Sequence, residues 1–304
     1  MSTGGLRPLA TGLAVAGVGG LGWALVEATR YTLRHHTVPI LPSGSAPLRV
    51  LHVSDLHLVP TQRDKIAWVR DLAAEAPDLV VTTGDNMAHP QALPAVLEAY
   101  APLLERPGGF VFGSNDYYAP EPKNPARYFR PTARKKLSET LLPAEELAAA
   151  FRSAGWVDLT NARDTLDVDG REISFVGVDD PHLELDRFPP AGPRRSPLHL
   201  GVTHAPYRRV LDAMHDDGAD LILAGHTHGG QLCLPGVGAL VTNCDLDRRR
   251  ASGLHGWPGP RPDADGGERS TWLHVSAGLG TNPYTPVRFA CRPEATLLTL
   301  VGRP

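Results

Sequence analysis

Short apolar runs separated by turn residues make up most of the chain, and two longer stretches between them have helical periodicity. The helical stretches are residues 61–75, where Ile66, Val69 and Leu72 recur at helical spacing, and residues 93–104. The predicted strands are residues 49–54, 79–83, 109–112, 165–168, 173–178, 198–203, 221–224, 272–277 and 295–300. Strands alternate with helices in the first part of the chain, which predicts a parallel sheet. The whole pattern predicts two packed sheets with helices outside.

The N-terminus carries an uncharged segment. Residues 9–26 contain no charged side chain, and their eighteen residues are near the lower limit for a membrane-spanning helix. We predict a single-pass membrane anchor over residues 1–34, a Pro/Gly/Ser linker over residues 35–47 and one catalytic domain over residues 48–304. A cleaved signal peptide and a soluble hydrophobic helix are the alternatives. The flanking charges leave the side of the membrane open.

Composition is that of an ordinary globular protein. Of the 304 residues, 42% are hydrophobic and 21% are charged, and the length is ample for a large buried core. The net charge of −3 argues against a stable nucleic-acid partner, which would favour a basic chain. The three cysteines are widely spaced and odd in number, which indicates neither a disulfide framework nor a zinc knuckle.

Five short polar motifs each follow an apolar run. Their candidate metal ligands are Asp55, His57, Asp85, Asn115, His204, His226 and His228. Because the carboxyl ends of parallel strands meet at one edge of a sheet, we expect these side chains to converge there. Carboxylate, amide and imidazole groups together form a mixed oxygen and nitrogen shell that suits Mn, Fe or Zn.

The order of these motifs resembles that of the calcineurin-like metallophosphoesterases, whose pattern is D-x-H, G-D, G-N-H-D/E, H and G-H-x-H. The resemblance covers residues 48–302. The Gly225–Gln231 motif and the later Gly278-Leu279-Gly280-Thr281 are similar to the membrane-anchored branch that includes bacterial YkuE-like phosphodiesterases. The resemblance implies an α/β fold, a four-layer αββα sandwich, preceded in this chain by the N-terminal hydrophobic helix.

The resemblance also implies two divalent metal ions and a role for each ligand. One ion would be held by Asp55, His57 and His228. The other would be held by Asn115, His204 and His226. Asp85 would bridge the two ions, because a carboxylate can offer one oxygen to each. A hydroxide shared by the ions would attack phosphorus in line.

The third motif departs from the family pattern, since it reads Gly113-Ser114-Asn115-Asp116. Aligned without a gap, Ser114 replaces the asparagine ligand, and Asn115 replaces the histidine that assists the leaving group. Shifted by one residue, Asn115 keeps its metal and Asp116 takes the place of the histidine. We favour the shift because an amide oxygen is a better ligand than a serine hydroxyl. Asn115 and Asp116 are then the candidate catalytic residues.

The predicted activity is that of a membrane-tethered, dinuclear metal-dependent phosphoric ester hydrolase, more specifically a phosphodiesterase. Its membrane location makes a phospholipid or a lipid-linked phosphate a candidate substrate. The alternatives are a metal-binding module that keeps the fold without the chemistry, and a nucleotide phosphohydrolase. The basic residues of 123–136 are either a solvated surface or a contact for anionic headgroups. We expect the histidines outside the motifs to be structural. His182 is the least secure of these because it follows a strand end.

Overall fold

The computed structural model describes residue 17 and residues 19–122, 138–192 and 196–304. In chain order, the strands are β1 Thr32–Leu41, β2 Leu48–Val53, β3 Leu79–Thr82, β4 Gly108–Phe110, β5 Val157–Asp158, β6 Arg163–Val168, β7 Arg171–Gly177, β8 Leu198–Thr203, β9 Leu221–Ala224, β10 Cys233–Leu234, β11 Gly238–Ala239, β12 Gly253–Trp257, β13 Thr271–Val275 and β14 Glu294–Gly302. The helices are α1 Arg63–Asp71, α2 Leu93–Tyr100, α3 Ser114–Tyr117, α4 Ala144–Ser153 and α5 Arg208–Asp216.

Two six-stranded sheets form the centre of the domain. The first has the order β1-β14-β2-β3-β4-β5 and the second the order β12-β13-β9-β8-β7-β6, while β10 and β11 pair as a small separate ribbon. Strands β2 to β5 run parallel to one another, as do β7, β8, β9 and β13. The parallel strands therefore bring their carboxyl ends to a common edge in each sheet.

The layers follow from which apolar side chains are buried together. Side chains of both sheets, such as Val50 of β2 and Leu200 of β8, share one buried cluster. Helices α1, α2 and α4 cover the outer face of the first sheet. On the second sheet, Leu211 and Met214 of α5 pack on Ile222 of β9. The order helix, sheet, sheet, helix confirms the predicted αββα sandwich.

The structure replaces most of the predicted linker with a strand. Residues 32–41 form β1, which pairs with β14 in parallel, and only residues 42–47 lie between β1 and β2. Val38 and Ile40 are buried on the sheet. The prolines of this segment suggested a linker, but Pro39 is tolerated because β1 is an edge strand, where a missing N–H group interrupts no ladder. The structured domain therefore begins before residue 48.

Half of the predicted anchor, residues 1–16 and 18, lies outside the described residues, as do the basic residues of 123–136. Residues 19–27 are helical. This helix packs on the domain through Glu27, whose carboxylate accepts hydrogen bonds from the backbone N–H groups of Ala290 and Cys291 at 3.2 and 2.8 Å. Within the part of the chain that the structure describes, no helix is long and apolar enough to cross a membrane.

Candidate metal centre

Six of the seven predicted ligands meet where the two sheets present their strand ends. Asp55 and His57 follow β2, and Asp85 follows β3. His204 directly follows β8, while His226 and His228 follow β9. The first sheet therefore supplies the carboxylates together with one imidazole, and the second sheet supplies the other three imidazoles.

The ligand loops have a backbone conformation that is uncommon for these residue types. Five of the predicted ligands have φ between 41° and 70°: Asp55, His57, Asp85, His226 and His228. A left-handed conformation at a residue other than glycine costs about 1–3 kcal/mol and persists only where neighbours enforce it. Here the backbone N–H groups of Asp55 and His57 donate to the carbonyl oxygens of Gly84 and Asp85, each at 2.9 Å. The two carboxylate loops therefore hold each other in place.

One group of ligand atoms surrounds His57. Its Nε2 lies 3.2 Å from His228 Nε2 and 3.3 Å from Asp85 Oδ2. Asp55 Oδ1 lies 3.5 Å from His228 Nε2. Asp55, His57 and His228 are close enough together to hold one cation.

A second group lies on the other side of Asp85. His204 Nε2 is 3.3 Å from His226 Nδ1 and 3.6 Å from Asp85 Oδ2. Asp55, Asp85 and His204 also form a possible cation site. Oxygen Oδ2 of Asp85 therefore lies between an imidazole of the first group and an imidazole of the second.

Backbone carbonyl groups fix which ring nitrogen of three histidines faces inward. His204 Nδ1 lies 2.7 Å from the carbonyl oxygen of Thr83, His228 Nδ1 lies 3.1 Å from that of Gly280, and His226 Nε2 lies 3.3 Å from that of Asn243. Since a carbonyl oxygen only accepts, it favours a proton on each of these nitrogens, which in a neutral imidazole leaves the inner nitrogen bare. Bare nitrogens facing each other and two carboxylates are a donor set that fits divalent cations.

Burial sets the protonation of the centre. It lowers the pKa of His226 to about 3 and that of His228 to about 4, so both imidazoles are neutral, as metal ligands must be. Burial raises the pKa of Asp85 to about 8. For His204 burial lowers the pKa, but the charges of Asp85, Asp180 and Asp55 outweigh it and raise the pKa to about 9. Both groups therefore retain protons at neutral pH in the absence of a cation, and a bound cation displaces them.

Asn115 and Asp116 do not occupy equivalent places. The backbone N–H of Asn115 donates to Asp85 Oδ1 at 2.7 Å, and its side-chain amide donates to the carbonyl oxygen of Tyr118 at 3.1 Å. Asp116 is fully buried, and its carboxylate accepts hydrogen bonds from the backbone N–H groups of Asp85, Asn86 and Gly113 at 2.7, 2.9 and 2.9 Å. These contacts suit a positioning role for Asp116 rather than the proton-donor role of the shifted register.

Two residues beside the ligands were not identified by their sequence pattern. The His182 ring lies 4.3 Å from the His226 ring, and its Nδ1 is 3.1 Å from the hydroxyl of Tyr207. Arg288 is fully buried and donates to the carbonyl oxygens of His228 and Gly280 at 3.1 and 2.7 Å. Position after a strand end was a weak signal for His182. Arg288 lies outside every motif, so its sequence context gave no signal.

The centre leaves no space for a side chain at two of its glycines. A Cβ atom at Gly225 would overlap Ser54 Oγ, and one at Gly113 would overlap Asp85 Oδ1 and the ring of His204. Glycine is therefore required in both motifs because the backbone of one loop touches the ligands of another.

Comparison with known proteins agrees with this geometry. The sequence profile described as calcineurin-like phosphoesterase matches residues 48–230, which include all seven candidate ligands. The chain therefore belongs to the calcineurin-like phosphoesterase family, as its motifs predicted. As a member of this family it is a metal-dependent phosphoric ester hydrolase.

Several bacterial relatives align over most of their length. Phosphodiesterase YaeI of Escherichia coli (strain K12) is 29% identical over 306 residues, covering 96% of this chain and 97% of that protein. The uncharacterized metallophosphoesterase YkuE of Bacillus subtilis (strain 168) is 26% identical, covering 96% and 93%. The UDP-2,3-diacylglucosamine pyrophosphatase LpxG of Chlamydia trachomatis (serovar D) is 25% identical, covering 84% of each chain.

Proposed function

We propose that this protein is a phosphodiesterase with a dinuclear metal centre. The position of Asp85 carries the proposal. Its Oδ2 lies 3.3 Å from His57 Nε2 and 3.6 Å from His204 Nε2, so one carboxylate can serve a cation in each ligand group. The relative named phosphodiesterase YaeI supports the choice of a diester over a monoester.

In the proposed centre each residue has a defined role. Asp55, His57 and His228 hold one divalent ion, and His204, His226 and Asn115 hold the other. Asp85 contacts both. Bound Mn, Fe or Zn ions supply a hydroxide at neutral pH and neutralise charge on the phosphate oxygens. Asp116 acts on Asp85 through the backbone of the loop, and so positions the bridge.

The absence of a histidine in the third motif should restrict the leaving group. We expect the full chain, supplied with Mn, to hydrolyse bis-p-nitrophenyl phosphate. We also expect the rate enhancement over the uncatalysed reaction to be at least about 100-fold smaller for a matched dialkyl phosphate than for this aryl diester. An aryl oxide leaves without a proton, whereas an alkoxide needs one. Steady-state kinetics on the two diesters measure the ratio.

Two outcomes would count against these proposals. Comparable catalytic rates on alkyl and aryl diesters would mean that a proton donor exists, and loss of only the alkyl rate in His182→Ala would identify it. No hydrolysis with any divalent metal would favour a binding module. In the active protein, His228→Ala should abolish turnover of both diesters, because it removes a ligand rather than a donor.

We further propose that the substrate is a lipid-linked phosphoester. A cleft of about 720 Å³ beside Gly229, the residue after His228, is lined by Arg34, Arg248, Arg249 and Arg292. Leu234 and Val237 line the same cleft, and Val237 is 69% exposed. Arginines bind anionic headgroups, and exposed apolar side chains suit acyl chains. The relative named as a pyrophosphatase of UDP-2,3-diacylglucosamine gives additional support.

Reversing two charges of this cleft tests the lipid proposal. We expect R248E/R249E to weaken binding of the full chain to phosphatidylglycerol vesicles by at least about tenfold, since each basic side chain near such a surface contributes about 1 kcal/mol. Hydrolysis of the water-soluble diester should stay unchanged. R106E/R269E, two reversals at exposed arginines that do not line the cleft, is the matched control. Equal vesicle binding by both double variants would remove the lipid proposal.

A further inference from the structure

A chain of hydrogen bonds leads from Asp55 into the space between the two sheets. Asp55 Oδ2 lies 2.5 Å from Ser54 Oγ, which lies 2.6 Å from Thr83 Oγ1. His52 Nε2 is 3.0 Å from Thr83 Oγ1, and His52 Nδ1 is 2.9 Å from His274 Nδ1. All five side chains are fully buried. We call these five residues the Asp55 chain. It joins β2 of the first sheet to β13 of the second.

The chemistry of its members fixes the direction of the Asp55 chain. An ionised carboxylate only accepts, so Ser54 donates its single hydroxyl proton to Asp55. Thr83 then donates to Ser54, and its oxygen is left to accept from His52. His52 must therefore carry its proton on Nε2. Burial keeps both imidazoles neutral, because it lowers the pKa of His52 to about 3 and that of His274 well below its usual value.

The second histidine follows from the first. A neutral His52 with a proton on Nε2 has a bare Nδ1, so His274 must donate from its own Nδ1. His274 Nε2 is then a bare acceptor, and it has no hydrogen-bond partner among the described residues. The reverse direction would place a buried, unpaired N–H there. A buried acceptor nitrogen without a donor costs less free energy than a buried N–H group without an acceptor.

The Ser54 end of the Asp55 chain determines which carboxylate oxygen of Asp55 can face a cation. Oδ2 accepts from Ser54 Oγ and, at 3.0 Å, from the backbone N–H of His226. Oδ1 accepts only the longer branch of the His226 N–H bond, at 3.3 Å, and faces His228 Nε2 at 3.5 Å and His57 Nε2 at 4.0 Å. Thr83 also reaches the second ligand group, since its carbonyl oxygen lies 2.7 Å from His204 Nδ1.

We propose that His52 and His274 are positioning residues of the metal centre. With Thr83 and Ser54 they form a directed chain of donors that holds Oδ2 of Asp55 and presents Oδ1 to the cation. Aligned donors polarise one another, so the chain binds Asp55 more firmly than one isolated hydroxyl would. The positioning role rests on the proposed metal centre. The direction of the hydrogen bonds along the Asp55 chain does not depend on it.

The protonation pattern can be read without metal or substrate. In the full metal-free chain with ¹⁵N-labelled histidine, NMR at neutral pH should find His52 protonated at Nε2 and His274 protonated at Nδ1. Signals are assigned with H52Q and H274Q. The opposite tautomers, or a charged imidazole at either position, would overturn the inference.

Removal of the central hydroxyl tests the positioning. Thr83→Val should raise the dissociation constant of the first divalent ion by about 10–100-fold. This is the usual effect of losing a residue that holds a metal ligand in place. Thr83→Ser keeps the hydroxyl and should retain near-normal affinity. Thr296→Val makes the same change at a buried threonine whose hydroxyl has no hydrogen-bond partner among the described residues, and is the control.

Calorimetry with Mn alone measures these affinities, and thermal unfolding verifies that the variants fold. Unchanged affinity in a folded Thr83→Val would overturn the positioning role. A wild-type chain that binds Mn without hydrolysing any diester would contradict the proposed activity and leave this comparison intact. The two failures are therefore distinguishable.

Discussion

Replacing Asp85 with asparagine is expected to lower kcat/KM for bis-p-nitrophenyl phosphate by at least about 10³-fold, or about 4 kcal/mol of transition-state stabilisation. The amide keeps the shape of the side chain and an acceptor for the backbone N–H of Asn115, which lies 2.7 Å from Asp85 Oδ1. It loses the negative charge and the second oxygen that two cations would share. Steady-state kinetics and elemental analysis of the same sample should report lost activity together with a lowered metal content.

Variants at neighbouring positions show how the loss of activity in Asp85→Asn compares with that at other residues of the centre. Asn115→Ala should cost less than Asp85→Asn, because Asn115 is proposed to serve one ion only. Ser114→Ala should be nearly silent if the shifted register is correct, and the reverse order of these two effects would favour the gapless alignment. His89→Ala, at an exposed position, controls for loss of a histidine. Full metal content and activity in Asp85→Asn would contradict the dinuclear proposal.

The motifs predicted the family and the location of the centre because their information is local. Each ligand follows a strand within a few residues, and parallel strands bring such positions to one edge without further instruction. Asp55 and Asp85 are an example, since their strands β2 and β3 are neighbours in the first sheet. The spacing of apolar runs likewise predicted two packed sheets and the helices α1 and α2, but it did not identify α4 or α5.

Contacts between distant segments could not be predicted in this way. His52 and His274 are 222 residues apart and meet only because β2 and β13 face each other across the two sheets. As single histidines in apolar strands, both suggested nothing beyond structural residues. Edge strand β1 was obscured by its proline, since local composition does not tell whether a segment will lie at the edge of a sheet.

Replacing Asp116 with alanine is expected to lower the free energy of unfolding by about 3–5 kcal/mol. The carboxylate accepts from the backbone N–H groups of Asp85, Asn86 and Gly113 and from the side-chain amide of Asn86, and all of these donors would lose their acceptor inside the protein. Each buried donor left unpaired costs about 1–3 kcal/mol, partly relieved if water enters. Urea unfolding measures the change.

Kinetics of the same variant separate the two roles considered for Asp116. A proton donor serves the alkoxide, so its loss would spare the aryl diester. A residue that positions the Asp85 loop serves the metal centre, so Asp116→Ala should lose metal affinity and the turnover of both diesters. Asp217→Ala is the matched control, because Asp217 is largely buried in an ion pair with Arg163 outside the centre. It should lose stability and, while folded, keep full activity. Retention of aryl turnover by folded Asp116→Ala would restore the proton-donor role to Asp116. Loss of both rates would mean that Asp116, in the third motif, supports the reaction by holding the backbone of the loop that carries Asp85.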